Sequence, residues 1–120
     1  MTESLPTEIV DRFMQALAAR DFGGARRLLA DDLRFDGPLD RFERADDYMQ
    51  AIAGLYGMVR AVEHQTTVAQ GDEVVVFYTL DTPVAKAPVA EWYTVRGDKI
   101  GQLRAYFDAR PFAPPAPTAS

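Results

Sequence analysis

Apolar side chains recur along the first half of the chain with the spacing of an α-helix. Repeats of three and four residues predict a helix over about residues 5–19 with one apolar face. Asp21 is placed to cap a second, shorter helix, and Asp46 opens a third. The apolar positions are Ile9, Phe13 and Leu17 in the first helix and Tyr48, Met49, Ile52, Leu55 and Tyr56 in the third.

Beyond the third helix the apolar period changes from 3.6 to 2, which is typical of β-strands. Four strands are predicted there, and a short one precedes the third helix: Leu33–Asp36, Val62–Val68, Glu73–Asp81, Val89–Val95 and Ile100–Phe107. Helices followed by an antiparallel meander predict an α+β fold. We expect a cone-shaped, curved antiparallel or mixed sheet wrapped around three N-terminal helices. Residues 1–112 would form this single domain, with a disordered, proline-rich tail over residues 113–120.

Composition excludes several classes of function. The 120 residues carry a formal charge of −5, which disfavours nucleic-acid binding and a basic membrane-surface helix. There is no cysteine and only one histidine, so thiolate and histidine-rich metal sites are not expected. No signal peptide, membrane span, phosphate loop or nucleophile elbow is visible. We therefore expect a cytoplasmic protein without a cofactor or metal.

The direction of the last two strands follows from their alternation. On the final strand Leu103, Ala105 and Phe107 alternate with polar side chains and should face inward. If the intervening turn has an odd loop length, Glu91 and Tyr93 face inward on the preceding strand. The Glu73–Asp81 strand is apolar on both faces, so its alternation leaves its direction open.

Four stretches carry a resemblance to a known family. They are Phe13-Met-Gln-Ala-Leu-Ala-Ala-Arg-Asp-Phe22, Leu29-Ala-Asp-Asp-Leu-Arg-Phe-Asp-Gly-Pro38, Ala53-Gly-Leu-Tyr56 and Asp98-Lys-Ile-Gly-Gln-Leu-Arg-Ala-Tyr-Phe-Asp108. Together they resemble the nuclear transport factor 2-like superfamily, with its SnoaL-like cyclases, ketosteroid isomerases and limonene-epoxide hydrolases. The resemblance implies a cystatin-like α+β barrel with an internal pocket. It also implies that Val75, Phe77, Thr79 and Asp81 point inward.

The motifs of the two characterised enzyme families are incomplete in this chain. Where ketosteroid isomerases have a tyrosine and a catalytic aspartate, this sequence has Phe13 and Gly37, and only Glu91 matches their second acid. Asp81 matches one acid of the epoxide hydrolases, but Thr79 stands in place of their arginine. The resemblance therefore implies neither of these two reactions.

The predicted interior combines a few polar groups with an apolar wall. The catalytic candidates are Glu91, Asp81, His64 and Tyr93, and the ligand-binding candidates are Phe13, Phe35, Leu55, Tyr56, Phe77, Thr79, Leu103 and Phe107. A buried acid should have a raised pKa. If residues 82–88 form the connecting loop, Asp81 and Glu91 are diagonal neighbours with Cα atoms roughly 7–8 Å apart, and form a carboxylate dyad.

Other roles for the same residues stay open. Asp81 would also suit a turn, His64 a satisfied core or rim position, and Tyr93 a packing role. Two functions are compatible with the predicted cavity. One is a cofactor-independent isomerase, cyclase or hydrolase acting on a small hydrophobic cyclic molecule, and the other is a non-catalytic binding module for such a molecule.

The outer face of the sheet is the expected partner surface. With Val74, Val76, Tyr78, Leu80 and Trp92 outward, that face would be too apolar for a monomer of this size. We therefore predict a homodimer through the convex sheet face. Cover by the C-terminal tail is the alternative.

Overall fold

A computed structural model of the chain describes residues 5–112 and shows helices at the N-terminal side of a curved sheet. The helices are α1 (Pro6–Ala18), α2 (Phe22–Arg27) and α3 (Ala45–Tyr56). The strands are β1 (Leu29–Asp36), β2 (Arg41–Phe42), β3 (Ala61–Gln70), β4 (Glu73–Asp81), β5 (Lys86–Arg96) and β6 (Lys99–Phe107). The predicted tail over residues 113–120 lies outside the described residues.

The described residues form one six-stranded sheet with the order β2-β1-β6-β5-β4-β3. Strands β3 to β6 make the predicted antiparallel meander. β1 pairs in parallel with β6, so the sheet is mixed and the N-terminal half of the chain is joined to its last strand. The sheet curves without closing, and the fold class is the predicted α+β.

The start of α2 has the predicted cap, whereas α3 begins one residue before the predicted Asp46, at Ala45. The Asp21 carboxylate accepts a hydrogen bond from the Gly24 amide at 2.9 Å, which is the predicted cap of α2. In the same α1–α2 turn, the Arg20 guanidinium donates to the carbonyl oxygens of Tyr56 and Val59, where α3 ends. These bonds tie the α1–α2 turn to α3 and fix how α3 lies across the sheet.

The core lies between α1 and the inner face of β4, β5 and β6. Phe13 on α1 meets the ring of Tyr93 edge to face at a centroid distance of 6.1 Å, and both side chains are fully buried. Inward residues alternate along β5 and β6 as predicted, from Ala87 to Val95 and from Leu103 to Phe107. Beyond this core, toward α3, the inner face of the sheet is left partly uncovered.

The direction predicted for β4 is wrong. Val74, Val76, Tyr78 and Leu80 are buried on the inner face, whereas the alternate positions, Phe77 among them, face outward. The loop before β5 is only Thr82–Ala85, because β5 resumes at Lys86 and includes Pro88. Asp81 therefore pairs with Lys86 instead of the predicted Val89. Successive side chains of a strand point to opposite faces, so this register shift of three residues reverses the face of every β4 side chain.

None of the helices among residues 5–112 is long and apolar enough to cross a membrane.

Candidate functional site

A cavity of about 280 Å³ opens between the inner face of the sheet, α3 and the β1–β2 turn. Its volume is slightly below the usual range for small-molecule sites, roughly 300–1,000 Å³. Most of its wall is aliphatic or aromatic. The lining residues are Phe35, Gly37, Pro38, Leu39, Asp40, Phe42, Tyr48, Ala51, Ile52, Leu55, Met58, Tyr78, Leu80, Ala87, Val89, Glu91, Ala105, Phe107 and Phe112.

Glu91 is the buried acid on this wall. It lies at the centre of β5 and is paired with Val76 on β4 and Ala105 on β6. Only 8% of the surface of Glu91 is exposed. Tyr78 is its diagonal neighbour on β4, and the Tyr78 hydroxyl donates a hydrogen bond to Oε1 of Glu91. No ion pair found among residues 5–112 includes Glu91. Its carboxyl group is thus stabilised by a neutral donor.

Burial controls the protonation of this carboxyl group. Removal from water raises the pKa of Glu91, and hydrogen bonding by Tyr78 and Tyr93 offsets that rise only in part. The protonated form is therefore favoured to a higher pH than in a solvent-exposed glutamate. In that form one oxygen accepts the bond from Tyr78, and the other carries a proton that can be donated to a ligand.

Four tyrosines surround Glu91. Tyr48 and Tyr56 come from α3, Tyr78 from β4 and Tyr93 from β5. Burial raises the pKa of each, to about 12 for Tyr56, and the negative charge of Glu91 adds to the rise in all four. These phenols therefore remain neutral hydrogen-bond donors at physiological pH.

The β1–β2 turn forms one side of the cavity mouth. The Gly37 amide donates to the Asp40 carbonyl oxygen at 2.9 Å and closes the turn. A Cβ atom at Gly37 would lie 2.9 Å from the ring of Phe35, so a larger residue here would require that ring to shift. Phe35 then stacks on Tyr48 with centroids 4.9 Å apart, and Asp40 lines the rim.

Four of the predicted site residues lie on this wall: Glu91, Phe35, Leu55 and Phe107. Four others face inward but belong to the packed core next to the cavity. Phe13, Tyr93 and Leu103 are at most 1% exposed, and Tyr56 packs beneath the guanidinium of Arg20. Their side chains support the wall without lining the cavity.

The other predicted site residues lie outside the cavity, and those expectations are corrected. Phe77, Thr79 and Asp81 project from the outer face, because the direction of β4 is reversed. The Asp81–Glu91 dyad therefore does not form, since the two side chains lie on opposite faces of the sheet. His64 is exposed on the edge strand β3, and its Nε2 is hydrogen-bonded to Thr67 Oγ1 at 2.7 Å across a bulge.

Several lining residues were not predicted as site residues. Tyr78 and Leu80 were assigned to the outer face, and the β4–β5 register is the signal that places them inside. Tyr48 and Ile52 belong to the apolar stripe of α3, which is compatible equally with a core and with a cavity wall. For Asp40, which lies outside regular secondary structure, the sequence contains no such signal, whereas Phe112 is the one large apolar residue of the proline-rich C-terminal stretch.

No group of three or more potential metal-ligating side chains occurs in the part of the chain that the structure describes.

The curved, unclosed sheet with N-terminal helices is of the cystatin-like α+β class, which is also seen in a protein from Silicibacter pomeroyi. The chain belongs to the SnoaL-like domain family, whose model matches residues 10–103. No curated protein matches the chain.

Solved structures share this fold at low identity. An NTF2-like protein of unknown function from Cytophaga hutchinsonii is 22% identical over 92% of this chain and 96% of its own, with a TM-score of 0.82. An LEH-like epoxide hydrolase from M. tuberculosis is 23% identical over 88% and 84%, with a TM-score of 0.73. A putative polyketide cyclase from Sinorhizobium meliloti is 15% identical over 82% and 94%, with a TM-score of 0.76. At these identities the likeness establishes a shared fold.

Proposed function

We propose that this protein is a cofactor-independent acid–base enzyme that acts on a small, apolar, cyclic molecule bound in the cavity. The observation that carries the proposal is the buried Glu91 carboxyl group on an apolar wall, hydrogen-bonded by Tyr78 and outside the ion pairs of the described residues. Buried acids of this kind occur preferentially at functional sites. An epoxide hydrolase and a putative polyketide cyclase among the structural relatives are consistent with catalysis in this fold.

The chemistry of the wall favours a ligand with one neutral oxygen acceptor. A protonated Glu91 offers its free O–H to a carbonyl or ether oxygen, whereas the aliphatic and aromatic side chains around it accommodate a hydrocarbon ring. The apolar wall disfavours a charged ligand, and no lysine, arginine or histidine lines the cavity among the described residues to pair with a carboxylate. The ligand class is thus a neutral, oxygen-bearing ring.

Asp40 and Glu91 are the two acidic residues on the cavity wall within residues 5–112, and we assign them complementary roles. With a cyclic ketone, the rim carboxylate Asp40 removes a proton from the carbon next to the carbonyl. The electron pair of that C–H bond forms the C=C bond of the enolate, and the π pair of the carbonyl group moves onto its oxygen. Glu91 donates its hydrogen bond, or its proton, to that oxygen. Return of the proton from Asp40 to carbon completes an isomerisation or exchange, so that no co-reactant is consumed.

Exchange of protons for deuterons in D₂O tests this assignment without knowledge of the natural substrate. Neutral cyclic ketones such as β-tetralone are incubated with the protein, and loss of their α-proton NMR signals is followed. We expect exchange above the buffer rate, with a loss of about a hundredfold in Glu91→Gln, which cannot give up a proton, and a smaller loss in Tyr78→Phe. Phe77→Leu, on the outer face of the same strand, is the control and should exchange at the native rate.

A non-catalytic binding module is the second candidate. Its support is the predominance of apolar side chains on the wall and the replacement of characterised catalytic residues by Phe13 and Gly37. Ketones that bind to the cavity but exchange no faster than in buffer would favour this function over the enzyme.

We also propose that the outer face of the sheet mediates a homodimer. The residues that carry the proposal differ from those predicted, since Val74, Val76, Tyr78 and Leu80 face inward. On the outer face Val68 and Tyr106 are each 54% exposed and Phe77 is 39% exposed. Trp92 lies between them on β5, beneath the Arg104 guanidinium. A sheet face of this kind can bury its apolar groups against a second copy.

A further inference from the structure

The chain returns to the cavity after its last strand. Phe107, the final residue of β6, lies two positions beyond Ala105, the partner of Glu91, and therefore about 7 Å further along the strand. A turn follows, closed by a hydrogen bond of 2.9 Å from the Phe112 amide to the Ala109 carbonyl oxygen. The turn brings the Phe112 ring against that of Phe107, edge to face with centroids 5.8 Å apart, and both rings line the cavity.

The closing segment is defined as residues 108–112, and few interactions with other described residues hold it. Asp108 and Arg110 form an ion pair of 2.7 Å, and their side chains are 48% and 90% exposed. The Arg110 guanidinium, which donates to both carboxylate oxygens, holds the pKa of Asp108 down at about 2, so the pair persists at neutral pH. Exposed ion pairs contribute little to stability, and an isolated aromatic contact contributes modestly. The segment can therefore yield to a ligand more easily than the strands on which it rests.

We propose that Phe112 closes the cavity at this end and sets the length of the ligand that it admits. The inference rests on the proposed function, because it assumes a small apolar ligand whose oxygen is held at Glu91. A ligand anchored there and extending along β6 passes Ala105, then meets Phe107 and Phe112. The ring of Phe107 is held by the sheet, whereas that of Phe112 is held by the closing segment. Phe112 is thus the side chain that limits ligand length.

A homologous series of phenyl alkyl ketones, from methyl to heptyl, measures this limit. Titration calorimetry with the full-length protein should show affinity rising about fourfold per methylene while the alkyl chain is buried, and then levelling off where it meets Phe112. In Phe112→Ala the rise should continue over further methylenes, so that the longest ketones bind at least tenfold more tightly than to the native protein. Tyr106→Ala is the control, because it removes an aromatic ring from the outer face of β6. Its affinity should level off at the same chain length as that of the native protein.

The outcomes separate this inference from the proposed function. The inference is supported if affinity levels off at a longer alkyl chain in Phe112→Ala but not in Tyr106→Ala. Circular dichroism checks that the Phe112→Ala variant is folded. Binding by native protein with the same limit in Phe112→Ala overturns the role of Phe112 and leaves the cavity as a ligand site. Absence of ketone binding by both proteins overturns the ligand site and the inference together.

Discussion

A buried carboxyl group is costly unless it is neutral or paired, and the position of Glu91 illustrates how a strand can carry one. Its neighbours on the inner face of β5 are Val89 and Tyr93, so its side chain cannot reach solvent by turning. The hydroxyl of Tyr78 satisfies one carboxyl oxygen, and burial favours the protonated form. A glutamate kept neutral in this way can donate a hydrogen bond at a pH where the carboxyl group of an exposed glutamate is ionised.

The pKa of Glu91 makes stability depend on pH in a defined direction. Its folded-state pKa is raised above the ordinary value of 4.5, so the folded protein holds this proton more tightly than the unfolded chain. The associated stability is complete below pH 4.5 and is lost as pH rises through the folded-state pKa. In that window we expect the free energy of unfolding to fall by up to about 1.4 kcal/mol per pH unit. Urea unfolding across the range measures the slope.

Glu91→Gln is the matched control for this dependence, since its amide keeps the shape of the side chain but does not titrate. The variant should lose the slope while keeping contributions from all other groups. Equal slopes in the two proteins would mean that Glu91 titrates alike in the folded and unfolded states.

At the scale of elements, a four-residue loop decides which side chains reach the cavity. Thr82 is buried. Its hydroxyl oxygen accepts hydrogen bonds from the amides of Val84 and Ala85, and its O–H donates to the Ala85 carbonyl oxygen. These bonds turn the chain within Thr82–Ala85, so that Lys86 pairs with Asp81. The resulting register places Tyr78 beside Glu91 and turns Phe77 outward.

Thr82→Val should therefore destabilise the protein, because it keeps the side-chain shape but leaves two amides without an acceptor. We expect a loss of about 1–2 kcal/mol in the free energy of unfolding. Thr82→Ser, which retains the hydroxyl, should lose less than about 1 kcal/mol. Chemical denaturation of the two variants and the native chain makes the comparison, and a Thr82→Val as stable as native would show that the hydroxyl does not hold the turn.

The two faces of the sheet have different surroundings in the whole molecule. The inner face is covered by α1 over the core and left open as a cavity near α3, whereas the outer face has no helix packed on it among the described residues. Phe77 on β4, Ala90 on β5 and Tyr106 on β6 are successive cross-strand partners on the outer face, and they form a continuous apolar row. This row is the surface that we propose for the dimer.

Placing a charge in this row should separate the subunits. Phe77→Glu would bury unpaired carboxylates at the interface, a cost of several kcal/mol, so sedimentation should show a dimer for the native chain and a monomer for the variant. Val84→Glu, at an exposed position in the β4–β5 loop, alters the charge equally and should remain dimeric. A native chain that sediments as a monomer would contradict the proposed assembly.

Local patterns in the sequence determined most of the elements. The helix predicted over about residues 5–19 is observed as α1, Pro6–Ala18. This prediction succeeds because an apolar face with a period of about 3.6 residues depends only on residues that are close in the sequence. The inward direction of β6 also follows from alternation. The inward direction of Glu91 on β5 was predicted on the condition of an odd loop length, but the turn has two residues, and a bulge between Thr94 and Val95 restores the predicted direction. One face of β6 is apolar and the other polar, so a single register satisfies burial.

Tertiary structure alone decided the rest of the site. β4 is apolar on both faces, so burial by itself permits either direction, and only pairing with β5 across a four-residue turn places Tyr78 inside. The contacts of Phe35 with Tyr48 and of Phe112 with Phe107 join elements whose spacing no local period encodes. Local patterns thus determined the elements and the buried face of a strand such as β6, which has one apolar and one polar face. The sheet register and the long-range packing determined which buried groups meet, because those contacts depend on the path of the whole chain.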